Sequence, residues 1–164
     1  MMALTIRPDT AADADRQWEI VQAVLADGDT YAWPTAPSRD QALALLHPPG
    51  GHTFVAEDGD GRVIGTYYLK ANGLGPGDHV ANCGYMVAAD ARGQGVGEAL
   101  CRHSLEAARA LGFRAMQFNA VVSTNLGAIH VWQRCGFAIV GTVPDAFRHP
   151  AHGEVAIHVM HRTL

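Results

Sequence analysis

The stretch DARGQGVGEALCRHSLEAARALGF, residues 90–113, joins a glycine-rich turn to a long helical pattern. Gly93, Gly95 and Gly97 stand at alternate positions in the turn, and Arg92 adds a charged donor at its edge. Glycines let a backbone approach an anion without interference from Cβ, and a helix N-terminus presents free N–H groups and the positive end of its dipole. The pattern predicts an anion site, although the glycines alone suit an unliganded tight turn equally well.

Two common phosphate motifs do not fit this stretch. A P-loop has a Lys-Ser/Thr pair after its last glycine, whereas Gly97 is followed by Glu98 and Ala99. A dinucleotide-binding turn opens a parallel βαβ unit, but this turn follows strands that are predicted to be antiparallel, and Glu98 occupies the place of the third glycine. Neither motif therefore explains the predicted anion site.

The composition predicts one globular domain over residues 1–164. The chain is 48% hydrophobic with a net charge of −4 and a pI of about 6.1, so no basic field favours a nucleic-acid partner. No apolar run approaches the roughly 20 residues of a membrane span, and the first residues do not resemble a signal peptide. The three cysteines are odd in number and widely spaced, which indicates reduced thiols and a cytoplasmic location, and they form no CxxC pair that would indicate zinc or redox chemistry.

Hydrophobic periodicity predicts the element order β-α-α-β-β-β-α-β-α-β-β, a mixed α/β fold with an antiparallel first half. The first helix is predicted over 9–26, and Ser38 is predicted to cap the second. The strand predicted over 80–88 leads into the glycine turn, and the next strand covers 114–122. The polar stretch PDAFRHPAHG, residues 144–153, is predicted to be a loop between the last two strands.

Two blocks of sequence carry a family resemblance. The motif Arg92-x-x-Gly95-x-Gly97, after the strand GYMVA, resembles the acetyl-CoA-binding motif of the GCN5-related N-acetyltransferase (GNAT) superfamily. The block from Asn125 to Gly136-Phe137 is similar to the downstream block of the same superfamily, about 30 residues further on. The resemblance implies an α/β mixed sheet of about seven strands with about four helices. It also implies acetyl-CoA as co-substrate, a small-molecule amine as partner and no metal, and it leaves a homodimer open.

The resemblance assigns roles to particular residues of the motif. Backbone amides of the turn would bind the CoA pyrophosphate, and the splayed strand at Met86 and Val87 would pair with the pantetheine arm. One of these amides, assigned to Val87, would polarise the thioester carbonyl. Asn125 would contact the pantetheine or the acceptor. The implied CoA-binding residues are Met86, Val87, Arg92, Gly93, Gln94, Gly95, Val96, Gly97, Glu98, Asn125 and Trp132.

Trp132 departs from the superfamily pattern. It lies seven residues after Asn125, where the superfamily usually has a tyrosine that donates a proton to the leaving thiolate. An indole N–H donates a hydrogen bond but does not give up its proton. Two interpretations follow: Trp132 packs against the CoA channel of an active enzyme, or the chain is a silent acyl-CoA-binding sensor.

Asn82 and Asn119 interrupt strands that are otherwise apolar. Asparagine is disfavoured in strands, and a buried amide costs about 1–3 kcal/mol unless its hydrogen bonds are made. Each residue either satisfies a neighbouring backbone group or faces the cleft and binds the acceptor. The sequence alone leaves both alternatives open.

A wider set of residues is similar to one branch of the superfamily, the acetyltransferases of proline analogues such as azetidine-2-carboxylate. The set comprises Tyr31-x-Trp33-Pro34, Asn82, Phe118-Asn119-x-Val121, Thr124-Asn125 and Trp132. The branch implies that Tyr31, Trp33, Asn82 and Asn119 bind the acceptor, and that Asn82, Asn119, Asn125 and Val87 form the catalytic set. An aminoglycoside, a polyamine or an amino-acid-like herbicide is the alternative acceptor.

The remaining polar residues carry weaker hypotheses. Glu57, Asp78, His79 and Glu154 are candidate bases, but no spacing selects one of them. Cys83 is the one cysteine that lies in a predicted strand, which makes it a minor candidate nucleophile. The nine histidines include two pairs at a spacing of three, but none has the partners of a recognised zinc site.

Overall fold

The computed structural model describes residues 3–164, which form seven strands and four α-helices. The predicted mixed α/β fold and its element order are confirmed. The elements are β1 (Thr5–Pro8), α1 (Ala14–Asp27), α2 (Arg39–Leu46), β2 (His52–Glu57), β3 (Val63–Ala71), β4 (Val80–Val87), α3 (Val96–Ala110), β5 (Ala115–Val122), α4 (Leu126–Arg134), β6 (Ala138–His149) and β7 (Gly153–Thr163).

The strands form one sheet in the order β1-β2-β3-β4-β5-β7-β6. All neighbours are antiparallel except β4 and β5, which are parallel and pair only at Val80↔Ala115 and Ala81↔Met116. Beyond these two pairs the strands separate, while β4 continues to pair with β3 as far as Val87. The sheet therefore opens into a gap in its middle.

Helices cover both faces of the sheet beside this gap. Helix α3 packs against β3 and β4, and Gly65 allows its close approach. A Cβ at Gly65 would lie 3.0 Å from Leu100 Cδ1 and 3.1 Å from Val96 Cγ1. Helix α1 packs on the other face, where the Gln17 side chain donates to Thr66 Oγ1 at 3.3 Å. The two layers hold β4 in place at the edge of the gap.

The first helix begins later than its apolar pattern predicts. Residues 11–13 form a 3-10 turn, and α1 starts at Ala14. The buried Asp13 carboxylate accepts hydrogen bonds from the Thr10 N–H at 2.8 Å and from the Arg7 guanidinium at 2.8 and 2.9 Å. These bonds lower the pKa of Asp13 from 3.8 to about 2, and the bonds from Arg7 have the largest effect.

Because this carboxylate is ionised in the folded protein, the free energy of unfolding depends on pH in the acid range. Since the folded-state pKa of Asp13 is below its usual value, its contribution is complete above about pH 4 and is lost as the pH falls towards 2. We expect Asp13→Asn to lower the free energy of unfolding by about 1–2 kcal/mol at pH 7 and to flatten its decline between pH 4 and 2. Urea titrations at several pH values measure both. Asp15→Asn, whose side chain is 89% exposed, is the control, and an equal effect there contradicts the assignment.

The loop predicted over 144–153 is wrong. Strand β6 continues to His149, and the connection to β7 is a short turn. Phe147 pairs with Val155, and a bulge between Val143 and Phe147 accommodates Asp145 at φ +52°. The polar composition is compatible with a strand because β6 lies at the edge of the sheet, where proline and bulges are tolerated.

The cysteines and the helices can be compared with the expectations from the sequence. Cys83, Cys101 and Cys135 are all buried free thiols, as predicted. Within residues 3–164 no helix combines the length and apolar character that would let it cross a membrane. The cytoplasmic location itself stays a prediction.

Candidate active site

A cleft of about 830 Å³ passes through the gap between β4 and β5. It runs from the N-terminus of α3 to the loop after α1, and its size is that of a small-molecule site. Gln94 is the one predicted site residue that does not line it, because its side chain turns away and donates to the Asp90 carbonyl at 3.0 Å. The lining includes Tyr31, Trp33, Asn82, Met86, Val87, Arg92, Gly93, Gly95, Val96, Gly97, Glu98, Asn119, Asn125 and Trp132.

Residues 93–98, here called the glycine cradle, close one end of the cleft. Gly93 and Gly95 adopt left-handed backbone with φ of +75° and +82°, which favours glycine at both positions. Gly95 is the N-cap of α3, and its carbonyl accepts the first helical hydrogen bond, from Ala99 N–H at 3.0 Å. The three preceding amides, Val96 to Glu98, therefore have no acceptor within the helix and are available to an anion.

The space around Gly97 shows whether a phosphate group fits in the cradle. Its backbone is not left-handed, and an added Cβ would meet no protein atom within 4 Å. Neither strain nor packing therefore requires glycine here. The missing side chain leaves free space at the helix N-terminus, on the wall of the cleft. This space and the free amides fit the pyrophosphate of CoA.

Charged side chains around the cradle neutralise one another. Arg92 pairs with Asp27 at 3.4 Å. The Glu98 carboxylate accepts from Arg102 at 2.7 Å and from Arg134 at 2.8 Å, and these bonds hold its pKa below the usual range. Arginines thus compensate the acid beside the predicted pyrophosphate site.

Backbone groups of β4 line the middle of the cleft. The Tyr85 carbonyl accepts from the Tyr31 hydroxyl at 2.6 Å, while the Ala88 N–H donates to a β3 carbonyl at 2.9 Å. Backbone groups of successive strand residues point to opposite sides. The N–H of Val87 therefore points to the cleft and that of Met86 to β3. This alternation favours Val87 over Met86 as the donor to an acyl carbonyl.

The Trp132 side chain belongs to an aromatic wall of the cleft. Its ring lies 4.9 Å from that of Tyr85 and 5.3 Å from that of Phe118, centroid to centroid. Phe118 in turn stacks on Phe137 at 4.3 Å. Within residues 3–164 the indole N–H has no hydrogen-bond partner. The contacts favour a packing role for Trp132.

A packing role predicts a mild effect of Trp132→Phe. The smaller ring of phenylalanine keeps most of the contacts. We therefore expect kcat of the variant, measured with whichever amine the wild-type protein acetylates fastest, to fall less than about tenfold. Steady-state kinetics measures kcat. A fall of about 100-fold or more would contradict the packing role, because it would show that the indole stabilises the transition state.

The opposite end of the cleft, here called the acceptor end, has a second aromatic group. Tyr31 lies 5.0 Å from Trp33, and Trp33 stacks on Tyr68 at 6.0 Å. The hydrogen bond to Tyr85 shows that Tyr31 also anchors its loop. Burial raises the pKa of Tyr68 to about 12, so its phenol is neutral.

Tyr68 and Lys70 line the cleft but were not identified from the sequence. The period of two in VIGTYYLKA places both on one face of β3. Their partners on β4 are Gly84 and Asn82, so all four positions share that face. This alternation, set beside the asparagine, is the signal that could have indicated them.

A chain of amide hydrogen bonds crosses the narrow end of the gap. Asn82 Nδ2 donates to the Gln117 carbonyl at 2.9 Å, and Gln117 Nε2 donates to Asn119 Oδ1 at 3.0 Å. Asn119 Nδ2 donates to Asn72 Oδ1 at 2.7 Å. Both alternatives for Asn82 are therefore realised, since it satisfies a backbone carbonyl and lines the cleft. Its Oδ1 stays free of partners among the described residues, whereas both amide atoms of Asn119 are bonded.

Asn125 has a structural contact as well as a place on the cleft wall. It is the N-cap of α4, and its Oδ1 accepts from the Ala128 N–H at 3.3 Å. Its Nδ2 makes no hydrogen bond within the described part of the chain. The amide is thus fixed by the helix while its donor end remains available.

The weaker hypotheses gain little from the structure. None of Glu57, Asp78, His79 and Glu154 lines this cleft. Cys83 does line it, but burial raises the pKa of its thiol to about 12, which counts against a thiolate nucleophile. Residues 3–164 contain no group of three or more metal-ligating side chains.

These features are those of a CoA-dependent acyltransferase: a parallel strand pair that splays beside a helix N-terminus with free amides. The chain belongs to the acetyltransferase (GNAT) family, whose family model matches residues 18–137. Members of this family are acetyl-CoA-dependent N-acetyltransferases, and the predicted superfamily is confirmed.

Solved structures and curated proteins resemble the chain. A GCN5-related N-acetyltransferase from Kribbella flavida is 47% identical, with a TM-score of 0.94 over 99% of this chain and 98% of that one. A phosphinothricin acetyltransferase from Sinorhizobium meliloti, solved with acetyl-CoA, is 26% identical, with a TM-score of 0.87 over 99% and 89%. N-acetyltransferase aca1 from Schizosaccharomyces pombe is 31% identical over 118 residues, 72% of this chain. The chain spans about half, 51%, of that relative's length.

Proposed function

We propose that residues 1–164 act as one domain that transfers acetyl from acetyl-CoA to the amine of a small molecule, by direct attack in a ternary complex. One observation carries the proposal: a single continuous cleft joins the glycine cradle to the acceptor end. Both substrates can therefore lie in it together, with the reacting groups meeting in the gap between β4 and β5.

Residues of the cleft have distinct tasks in this transfer. Bound acetyl-CoA supplies a thioester that a neutral amine can attack. The cradle amides bind the pyrophosphate, and the Val87 N–H stabilises the negative charge that grows on the acyl oxygen. The amine lone pair forms the N–C bond as the C–S bond breaks, and the amine proton passes through water to the thiolate. Proximity supplies much of the rate without a tyrosine at position 132.

The acceptor that we propose is an amino-acid-like amine, with a proline analogue as the first choice. Tyr31, Trp33 and Tyr68 provide flat apolar surfaces for a small ring. Asn82 offers a free oxygen that can accept from the amine. The similarity to a phosphinothricin acetyltransferase supports an amino-acid-like acceptor more generally.

A thiol-release assay tests the proposed function. The panel contains azetidine-2-carboxylate, proline, phosphinothricin, the common amino acids, spermidine and kanamycin, each with acetyl-CoA. We expect steady release with the amino-acid-like amines. Tight acetyl-CoA binding without turnover on the whole panel would favour the sensor, and preferred turnover of spermidine or kanamycin would contradict the proposed acceptor.

A homodimer stays a prediction. The surface to test is the exposed edge strand β6, where Ile139, Val140 and Val143 are 40%, 61% and 47% exposed. Sedimentation velocity of the wild-type protein and of the Val140→Lys variant measures the molecular mass of each. If two copies associate at β6, the variant should be monomeric and the wild type dimeric.

A further inference from the structure

Lys70 is the only lysine in the sequence, and it lies on the wall of the cleft. Three cations line the cleft in total, among the residues that the structure describes. Arg92 and Arg134 are paired with acids beside the cradle, whereas Lys70 makes no ion pair with any residue from 3 to 164. Its ammonium lies 6.0 Å from the centre of the Tyr68 ring. The cleft therefore has one half-buried positive charge, that of Lys70, which is not paired with an acidic side chain of residues 3–164.

The register of β3 and β4 places this charge beside the reaction gap. Lys70 is opposite Asn82, and Tyr68 is opposite Gly84. A Cβ at Gly84 would lie 2.6 Å from a Tyr68 ring carbon and 2.8 Å from its hydroxyl. The ring therefore lies across β4, towards the gap. Since neighbouring strands are about 4.8 Å apart, Lys70 is one strand further from the gap than Asn82.

The unpaired charges on the cleft wall match those of a zwitterion. The acids that line the cleft are Asp27, Asp29 and Glu98. Asp27 and Glu98 are paired with arginines, but Asp29, two residues before Tyr31 on the loop after α1, makes no ion pair with the described residues. One free positive and one free negative charge suit an amino acid. A polyamine would meet an uncompensated lysine, which opposes its entry.

We infer that Lys70 binds the carboxylate of the acceptor and thereby selects amines that carry a neighbouring acid group. The inference rests on the proposed acetyltransferase function. In this arrangement the apolar part of the acceptor lies on the Tyr68 ring, and its nitrogen approaches Asn82 Oδ1 and the thioester in the gap. Lys70 is a specificity residue, and it has no part in making or breaking bonds.

Matched amines with and without the acid group test this role. Azetidine-2-carboxylate and azetidine share the ring and the nucleophile and differ only in the carboxylate. We expect Lys70→Met to lower kcat/KM for azetidine-2-carboxylate about 10–100-fold, mainly through KM, as for one lost charged hydrogen bond. The values for azetidine and for acetyl-CoA should change less than about threefold. An equal loss on both amines would overturn the inference.

Two further variants control the comparison. Lys70→Arg keeps the positive charge and should retain most of the preference for the carboxylated amine. Arg109→Met removes a positive charge on the exposed side of α3 that lines neither this cleft nor the pocket beside Tyr31, so it should leave the ratio of kcat/KM for azetidine-2-carboxylate to that for azetidine unchanged. If Arg109→Met lowers this ratio as much as Lys70→Met does, net charge and not a local contact determines the preference.

A binding experiment separates this inference from the proposed activity. Reductive methylation with ¹³C-formaldehyde labels only Lys70 and the N-terminal amine, and Lys70→Arg assigns the two NMR signals. We expect azetidine-2-carboxylate to shift the Lys70 signal saturably in the presence of CoA, and azetidine to leave it in place. A shift without any acetylation would sustain the inference while the proposed activity fails. Acetylation without a shift would overturn the inference alone, and neither shift nor acetylation would overturn both.

Discussion

Gly97→Glu is expected to raise the Kd for acetyl-CoA at least about 100-fold without unfolding the protein. The position is not left-handed, and an added Cβ meets no protein atom within 4 Å, so the fold tolerates a side chain there. The new carboxylate would occupy the space of the pyrophosphate and repel it. Like charges about 4 Å apart repel by about 4 kcal/mol at an effective dielectric constant of 20, which is more than two factors of ten in Kd. Isothermal titration with acetyl-CoA measures the change.

Two variants make this test specific. Gly77 also has ordinary backbone and open space where a Cβ would lie, but it is outside the cleft, so Gly77→Glu should bind acetyl-CoA normally. Gly97→Ala adds bulk without charge and should fall between wild type and Gly97→Glu. Normal acetyl-CoA affinity in a folded Gly97→Glu protein would remove the glycine cradle from the cofactor site.

Asn82→Ala is expected to reduce kcat/KM for the acceptor at least about 100-fold, with less than a threefold change in the Kd for acetyl-CoA. Its Oδ1 is the free amide oxygen beside the gap. Its Nδ2 donates to the Gln117 carbonyl and so links β4 to β5 close to the point where the two strands diverge. In the proposed arrangement the variant loses a contact to the amine, and it also loses a hydrogen bond that positions β5. The lost bond should also lower the free energy of unfolding by about 1–3 kcal/mol.

Asn119→Ala is the matched comparison for Asn82→Ala. Both amide atoms of Asn119 are already bonded, to Gln117 and Asn72, so we expect a smaller loss of turnover than for Asn82→Ala. Steady-state kinetics and titration with acetyl-CoA are measured on both variants. Equal losses of turnover and of acetyl-CoA affinity in Asn82→Ala would assign the residue to the cofactor side or to the fold alone.

Local chemistry made much of the cofactor site predictable. Left-handed turns at Gly93 and Gly95 need glycine, and a helix that starts at Val96 must leave its first amides free. Ser38 caps α2 as predicted, since its hydroxyl accepts from the Gln41 N–H at 3.2 Å. These features depend on residues that are close in sequence, which is why the glycine stretch could be interpreted before the fold was known.

The sequence by itself determined the element order and the family, and it predicted residues at both ends of the cleft. Only the tertiary structure added Tyr68 and Lys70 to the acceptor end and showed how the asparagines there are bonded. The hydrogen-bond partner of Asn82 lies 35 residues away in the sequence, and that of Asn119 lies 47 residues away. Lys70 could be recognised as a candidate only from its position beside Asn82 on the next strand. The polar stretch 144–153 was mispredicted for the same reason, since its strand depends on pairing with β7. Turns and caps are set by neighbours along the chain, whereas pairing across strands determines which side chains share a cleft.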